Sequence, residues 1–287
     1  ATSGSENIAI GKGAMHECAV TGDSNIVIGE YAGQRLTSGA SNILIGECTA
    51  RCGTITGNQN IAIGCRALCH LSSGTGNIAL GYSTGKCVTS GTYNLLIGYR
   101  AGEKTTGTRN TYITRDAGLF ATSGCENIGI GCGALRGTDG SATGGCNIAI
   151  GNKAGHTFSS GNNNIFLGRC AGDEVTSGSC NIVIGCHVNV PNLTGNNQLV
   201  VGAGTSIWVT GDSSFKVGIS SNISSPDAEL HVEGSIHASR FFQNPTQLLS
   251  SETFPASGTA NGGVFGPYTL ATGVTLTISS GSTFTIV

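Results

Sequence analysis

Residues 21–46, TGDSNIVIGEYAGQRLTSGASNILIG, contain two copies of one short pattern. In both copies a Gly precedes an Asn by three residues, and the Asn opens a short Ile-rich stretch that ends in Gly. The two anchor residues, Asn25 and Asn42, are 17 residues apart. Self-similarity at a fixed period is the signature of a repeat architecture, so this unit decides the fold.

The same unit recurs along residues 3–202. Successive anchors are 16 to 20 residues apart, most often 17. A unit this short has no room for a strand, a crossover helix and a second strand. The anchors are Asn7, Asn25, Asn42, Asn60, Asn77, Asn94, Asn110, Asn127, Asn147, Asn164 and Asn181, with Gln198 in the twelfth unit.

Each position of the unit has a predicted structural role. A Gly lies three residues before every anchor, which indicates a backbone conformation that a Cβ would obstruct. A second Gly lies four residues after the anchor in eleven units, Thr114 being the departure. The residues between anchor and second Gly are rich in β-branched types and predict short strands. A small residue, Ala in eight units, comes seven residues after the anchor and marks a second corner.

These features predict an all-β protein: a parallel β-solenoid, or β-roll, of about twelve coils of roughly 17 residues. Stacking aligns the anchors into a ladder whose side-chain amides bond to the coils above and below. Twelve coils at about 4.8 Å each give a rod of roughly 55–60 Å.

The three-residue strands are apolar on both faces. In the first strand Ile8 and Ile10 share one face and Ala9 points to the other. The middle position is mostly apolar too, as at Val27 and Leu44. We expect this middle stripe to be exposed on a single solenoid, and soluble monomers rarely tolerate such a strip. The pattern therefore predicts several chains packed along a common axis, with a trimer favoured.

Composition excludes other classes of function. The 287 residues include 47 Gly, only 10% are charged, and the net charge is −2 with no cluster of Lys or Arg. The chain therefore offers no cluster of cationic side chains for binding nucleic-acid phosphates. The sequence contains no run of 18 apolar residues and therefore predicts no membrane-spanning segment. Since Ala1 opens within the pattern, we expect the chain to be part of a longer protein.

Residues 63–74, IGCRALCHLSSG, place Cys65, Cys69 and His70 within six positions, as zinc sites do. Counted from the anchors, however, the twelve cysteines occupy several unrelated positions. We interpret them as structural residues, and a disulfide between neighbouring coils, for instance Cys52 with Cys69, is the alternative. We predict no metal and no cofactor.

The sequence carries no catalytic motif. Asp173 and Glu174 are the one adjacent acidic pair, and glycan hydrolysis needs two carboxylates facing each other across a groove. We therefore predict that the protein is not an enzyme. Candidate surface-contact residues are large side chains at the corners, and the alternative interpretation is an ordinary solvated face. They are Tyr31, Arg35, Tyr82, Tyr99 and Arg100.

The repeat stops near Gly204, which predicts three parts: a solenoid over 1–204, a connecting segment over 205–240 and a β-rich C-terminal cap over 241–287. The connecting segment contains a Pro-Asp turn and a predicted strand around Leu230–Val232. In the cap, apolar residues alternate with Thr and Ser, which indicates antiparallel or wrapped strands with one buried face. The alternating apolar residues are Val274, Leu276, Ile278, Phe284 and Ile286.

These patterns resemble two known families. The NIAIG and NIVIG units are similar to the repeats of trimeric autotransporter adhesin heads, which form a left-handed parallel β-roll in a three-chain bundle. The longer unit resembles arrays in bacteriophage tail fibres, those of cyanophages in particular. SSPDAELHVEGSIHAS (224–239) and GPYTLATGVTLTISSGSTFTIV (266–287) are similar to segments that follow such arrays, with Phe284 where Trp is usual. These 287 residues depart from both families in their many cysteines, and no stretch of them resembles a self-cleaving chaperone domain.

The resemblance implies a structural fibre protein, a phage tail fibre segment that attaches to the host surface. Its partners would be copies of itself, as a homotrimer or homopolymer, and a host surface glycan or protein. Its location would be the virion, or the extracellular space or cell surface. The alternative is a subunit of a self-assembling extracellular filament or a bacterial surface adhesin, whose C-terminal segment pairs with the next subunit by strand addition.

Overall fold

The computed structural model describes residues 3–138, 142–220 and 225–233, together with the backbone of four short strands nearer the C-terminus. The chain divides into two compact units, 1–234 and 235–287. Every regular element in the described ranges is a β-strand. Within those same ranges there is no helix of the length and apolarity needed to cross a membrane.

The first unit is a parallel β-solenoid, as the repeat predicts. Twelve short strands stack in chain order, and the equivalent residues of neighbouring coils pair in register, Ile26 with Ile43 for example. The strands are β1 (Ile8–Ile10), β2 (Ile26–Ile28), β3 (Ile43–Ile45), β4 (Ile61–Ile63), β5 (Ile78–Leu80), β6 (Leu95–Ile97), β7 (Thr111–Ile113), β8 (Ile128–Ile130), β9 (Ile148–Ile150), β10 (Ile165–Leu167), β11 (Ile182–Cys186) and β12 (Leu199–Ala203).

From β2 to β12 the second residue of each strand, which is the middle one of the three-residue strands, is buried inside the solenoid, and this corrects the predicted orientation. Val27 and Leu44 are completely buried, and they form the core with the alanines seven residues after the anchors, such as Ala32. The flanking isoleucines point outwards instead: Ile10 is 57% exposed and Ile63 40%. The expectation was wrong because three apolar residues in a row do not show which face is inside.

The interior is narrow, and neighbouring coils adjust to each other's side-chain size. Tyr112 occupies the middle position of β7 and is fully buried. It pairs with Gly129 of the next coil, where a Cβ would lie 3.0 Å from the Tyr112 ring. Burial raises the pKa of the Tyr112 hydroxyl, which donates a hydrogen bond to Asn110 Oδ1 at 3.4 Å.

The anchor asparagines form a buried ladder along the solenoid. Asn60 Oδ1 accepts hydrogen bonds from the backbone N–H and from Nδ2 of Asn77, both at 3.0 Å. Asn60 Nδ2 donates to the Gly74 carbonyl at 2.9 Å. The ladder is unaffected by coil length: across the 20-residue coil, Asn147 Nδ2 still lies 3.0 Å from Asn127 Oδ1. Each buried amide is thus satisfied by the adjacent coil.

The Gly three residues before each anchor is explained by close approach of the coils. None of these twelve glycines has a positive φ. The prediction that an unusual backbone conformation selects Gly at this position is therefore wrong. In eleven coils a Cβ would lie 1.8–2.6 Å from the carbonyl oxygen of the equivalent Gly in the next coil. That carbonyl is the acceptor for the anchor Nδ2, so Gly and Asn together set the coil spacing.

Left-handed backbone conformations turn the corners of the coil. The residue before the anchor has a positive φ, 58° at Ser24, and so does the sixth residue after it, 54° at Tyr31. The second Gly is extended with positive φ, 137° at Gly29, and Thr114 takes the same place at 92°. L-amino acids other than Gly adopt this last region at a cost, which accounts for Gly in the other units.

The parallel stack ends by reversing. β12 pairs antiparallel with β13 (Ser206–Gly211), which pairs antiparallel with β14 (Val217–Ile219). β15 (Leu230–Val232) then pairs parallel with β14, so the sheet continues into the predicted connecting segment, and the predicted strand at Leu230–Val232 is confirmed. The boundaries at 204 and 240 stay predictions.

In the second unit the described strands form two parallel pairs rather than antiparallel ones. β16 (Gln247–Leu248) pairs with β18 (Thr269–Leu270), and β17 (Glu252–Phe254) pairs with β19 (Leu276–Ile278). Val274, Phe284 and Ile286, which belong to the predicted alternation, lie outside the described residues.

Candidate functional site

An aromatic pair lies on the corners that follow β5 and β6. Tyr82 and Tyr99 are both five residues after their anchors, so stacking the coils stacks their rings. The ring centroids are 5.4 Å apart with planes only 10° from parallel. The side chains are 44% and 49% exposed, which leaves an open aromatic surface.

Arg100 lies beside this pair and forms an ion pair with Glu103. The hydrogen bond from the guanidinium to the Glu103 carboxylate raises the pKa of Arg100. Its charge is therefore partly satisfied within the chain. The structure thus brings three of the five predicted contact residues, Tyr82, Tyr99 and Arg100, into one surface, which we call the tyrosine platform.

The other two predicted residues lie elsewhere. Tyr31 is six residues after its anchor, in the column of Arg100 rather than that of the two platform tyrosines, and it lies three coils before Tyr82, about 14 Å along the axis. Its ring is covered by Lys12 at 5.5 Å and Arg51 at 4.6 Å, so it is less available than the platform. Arg35 is ten residues after its anchor and donates to the Cys52 carbonyl at 3.3 Å.

A second aromatic cluster was missed by sequence reasoning. Phe120 lies between Lys104 and Arg136, whose charged groups are 4.7 and 4.8 Å from the ring centroid. The three residues are nine or ten residues after their anchors, the same column as Arg35. Comparing coils at that position, rather than along the chain, would have revealed the cluster.

Two cysteines and a histidine converge on this same side of coils three and four. Cys52 Sγ and Cys69 Sγ are 2.8 Å apart, and a His70 ring nitrogen lies within 4.8 Å of both sulfur atoms. Burial is the main cause that raises the pKa of Cys69, to about 12. All twelve cysteines are free thiols. We call Cys52, Cys69 and His70 the thiol–imidazole cluster.

Cys65 is not a member of the thiol–imidazole cluster, although it is close to Cys69 in sequence. It lies five residues after its anchor, on the platform corner. Burial, with the nearby Glu47 carboxylate, raises the pKa of its thiol. The motif of residues 63–74 therefore divides between two corners, and Cys52 of the preceding coil takes the place that Cys65 has in the sequence motif.

The adjacent acids Asp173 and Glu174 are engaged with the next coil. Asp173 Oδ1 accepts a hydrogen bond from Asn189 Nδ2 at 3.0 Å, and the Glu174 backbone N–H donates to Asn189 Oδ1 at 3.2 Å. Through these hydrogen bonds the pair contributes to the contact between adjacent coils. The absence of enzymatic activity stays a prediction.

No family model matches the chain, and no curated protein or solved structure was found to be similar to it.

Proposed function

We propose that this chain is a structural fibre protein, a segment of a phage tail fibre whose three copies pack along their outward isoleucine face and attach to a host surface. The observation that carries the proposal is the apolar outer face of a regular parallel solenoid. The tyrosine platform supplies the proposed contact surface.

The outer isoleucine face runs the length of the stack. The first and third residues after each anchor form two columns that point outwards from β1 to β12, and all of them are apolar except Thr111. At about 4.8 Å per coil, the strip is about 55 Å long and two side chains wide. Exposed apolar patches of several hundred Å² mark interaction sites on soluble proteins.

Further copies of the same chain are the partners that best fit this face. The strip continues through all twelve coils and is uncharged, since the outward strand positions hold Ile, Leu, Val and a single Thr. Every copy has one such strip, and a closed arrangement about one axis covers it in each copy. Three is the number of copies that the resemblance to adhesin heads implies.

Attachment would then use avidity. Three chains present three tyrosine platforms, so weak individual contacts add through effective concentration. Two stacked, half-exposed rings with an adjacent guanidinium suit a glycan, because sugar rings offer an apolar face to aromatics and hydroxyls to charged groups. A glycan is therefore the proposed class of ligand.

The test of assembly is the molar mass of the native protein by light scattering, with negative-stain imaging of its shape. We expect fixed-length trimers, and Ile63→Lys to release monomers because it places three charges at the packed face. Tyr93→Lys is the matched control, since Tyr93 is 61% exposed at the residue before its anchor, which is not one of the strip positions. Stable wild-type monomers would contradict the proposal, and open-ended polymers would favour the alternative filament.

The test of attachment is binding of the trimer to host-surface polysaccharides, with Tyr82→Ala and Tyr99→Ala as variants and Tyr93→Ala as control. We expect the two platform variants to lose binding and the control to keep it. Equal binding by all three would remove the platform from the proposal. Shortened polysaccharide products would overturn the prediction that the chain is not an enzyme.

A further inference from the structure

The thiol–imidazole cluster is built by coil stacking rather than by a local sequence motif. Cys52 is ten residues after Asn42, and Cys69 and His70 are nine and ten residues after Asn60. The Cys52 backbone N–H donates to the Cys69 carbonyl at 2.6 Å, which fixes the two residues on adjacent coils. Their side chains are therefore held together by the same ladder that specifies the fold.

His70 has one ring nitrogen available for coordination. Its Nδ1 lies 3.1 Å from the Lys86 carbonyl oxygen of the following coil. A carbonyl only accepts hydrogen bonds, so Nδ1 carries the proton and Nε2 keeps its lone pair. Histidines that bind metals characteristically donate their second ring N–H to a carbonyl or carboxylate in this way.

We propose that Cys52, Cys69 and His70 bind a zinc-like d¹⁰ cation, with a fourth position left open to solvent. Two thiolates and one imidazole are the donor set that Zn²⁺ prefers, and three protein ligands with an open site is a known coordination. On binding, each thiol gives its proton to solvent and both sulfurs coordinate the cation. Cys52 is exposed, so the ion has a path from solution.

The geometry needs only a small adjustment. Two sulfurs on one tetrahedral Zn²⁺, each about 2.3 Å from the metal, lie about 3.8 Å apart. The present Sγ–Sγ distance is 2.8 Å, and rotation of the exposed Cys52 side chain opens it. A disulfide is the competing outcome, and it uses only the two sulfurs, whereas the proposed site also uses the His70 ring nitrogen.

The test is titration of the reduced, metal-free full chain with Zn²⁺ against a chromophoric chelator, repeated with Co²⁺. We expect one strong equivalent, with the thiolate-to-cobalt charge-transfer band and the visible bands of tetrahedral cobalt. Cys52→Ser and His70→Gln should weaken binding by at least about tenfold, since even second-shell changes at metal sites cost that much. Cys180→Ser, an exposed cysteine in a distant coil, is the matched control and should bind as the wild type does.

A second measurement uses the wild-type chain and therefore does not depend on whether the variants fold. In the wild-type chain, Zn²⁺ should protect Cys52 and Cys69 from alkylation, as peptide mapping shows, while the exposed Cys180 stays reactive. Unprotected Cys52 and Cys69, or equal affinity in Cys52→Ser and the wild type, would overturn the site. So would isolation of the native chain with a Cys52–Cys69 disulfide that persists in a thiol buffer.

Discussion

The interior and the corners of the solenoid follow opposite rules. Inside, the same Asn recurs in eleven of twelve units and bonds to its equivalents above and below. At the corner five residues after the anchor, the side chain changes from coil to coil, as with Glu47, Cys65 and Tyr82. Identical stacking is required only where a side chain or carbonyl has no access to water. The variable columns are thus free to carry binding groups.

The largest effect is expected where two coils touch. Gly57→Ala would place a Cβ 1.8 Å from the Gly74 carbonyl oxygen, so the coils must separate and lose the Asn bond to that carbonyl. We expect destabilisation by more than about 4 kcal/mol, measured as the shift of the urea midpoint by circular dichroism.

The control for this substitution is Gly145→Ala. Gly145 lies two residues before its anchor, where the other eleven units carry a side chain. Its Cβ would be 3.1 Å from the nearest atom, so the cost should stay within about 1 kcal/mol. Equal effects of the two substitutions would show that close coil approach does not select Gly.

Removing one rung of the ladder should have the next largest effect. Asn94→Ala leaves the Asn110 backbone N–H and the Gly107 carbonyl without their side-chain partners, at 2.9 Å each. Each buried unpaired group costs about 1–3 kcal/mol, so we expect about 3 kcal/mol in total. The exposed Asn58, which accepts from the Ala40 N–H at 2.8 Å, is the control, and Asn58→Ala should cost about 1 kcal/mol. A smaller loss at Asn94 than at Asn58 would contradict the comparison.

A tyrosine on the corner should matter far less to stability than one inside. Tyr82→Ala removes a half-exposed ring stack and should cost about 1 kcal/mol or less. Tyr112→Ala opens a cavity in the core and should cost about 3–5 kcal/mol. Both variants are compared by the same urea midpoint. If Tyr82→Ala proves as destabilising as Tyr112→Ala, the platform is structural.

The smallest effect is a dependence on acid at the first coil. Hydrogen bonds from the Ser5 backbone N–H at 2.7 Å and from its hydroxyl lower the pKa of Asp23 from its ordinary value. A lowered pKa gives stability that is present above the ordinary value and is lost as the pH falls through the lowered value. We expect the protection of the Ser5 amide, measured as its hydrogen-exchange rate relative to the intrinsic rate at the same pH, to be lost only in that acidic range. In Asp23→Asn the same amide should show no such pH step, and a step there would assign the effect to another group.

The features that recur in every coil were predictable from sequence, whereas the direction in which the strand side chains point was not. Twelve aligned units show that the Ile-rich stretches stack in register and that the Asn recurs. They do not show which strand face is inside, because Ile8, Ala9 and Ile10 are all apolar. Among the three residues after each anchor, Ala and Gly129 occur only at the middle one, next to large residues such as Tyr112 in the neighbouring coil, and this alternation of size indicates the packed interior.

The candidate sites were predictable only when residues were compared across coils. Tyr82 and Tyr99 occupy one position of the unit, so their stacking follows from alignment. Cys65 and Cys69 are close in the chain and belong to different corners, whereas Cys52 and Cys69 are 17 residues apart and touch. The orientation of His70 depends on a carbonyl of yet another coil, which no local motif encodes.

The 20-residue coil between Asn127 and Asn147 shows that registry is independent of contour length. Three additional residues leave the rungs on either side undisturbed, since the amide contact is 3.0 Å there and 2.9 Å one coil later. This coil is therefore a natural place to graft a foreign peptide, since added length leaves the Asn127 and Asn147 rungs paired. Such a graft would be displayed at a fixed height on the shaft while the stack beneath it stays intact.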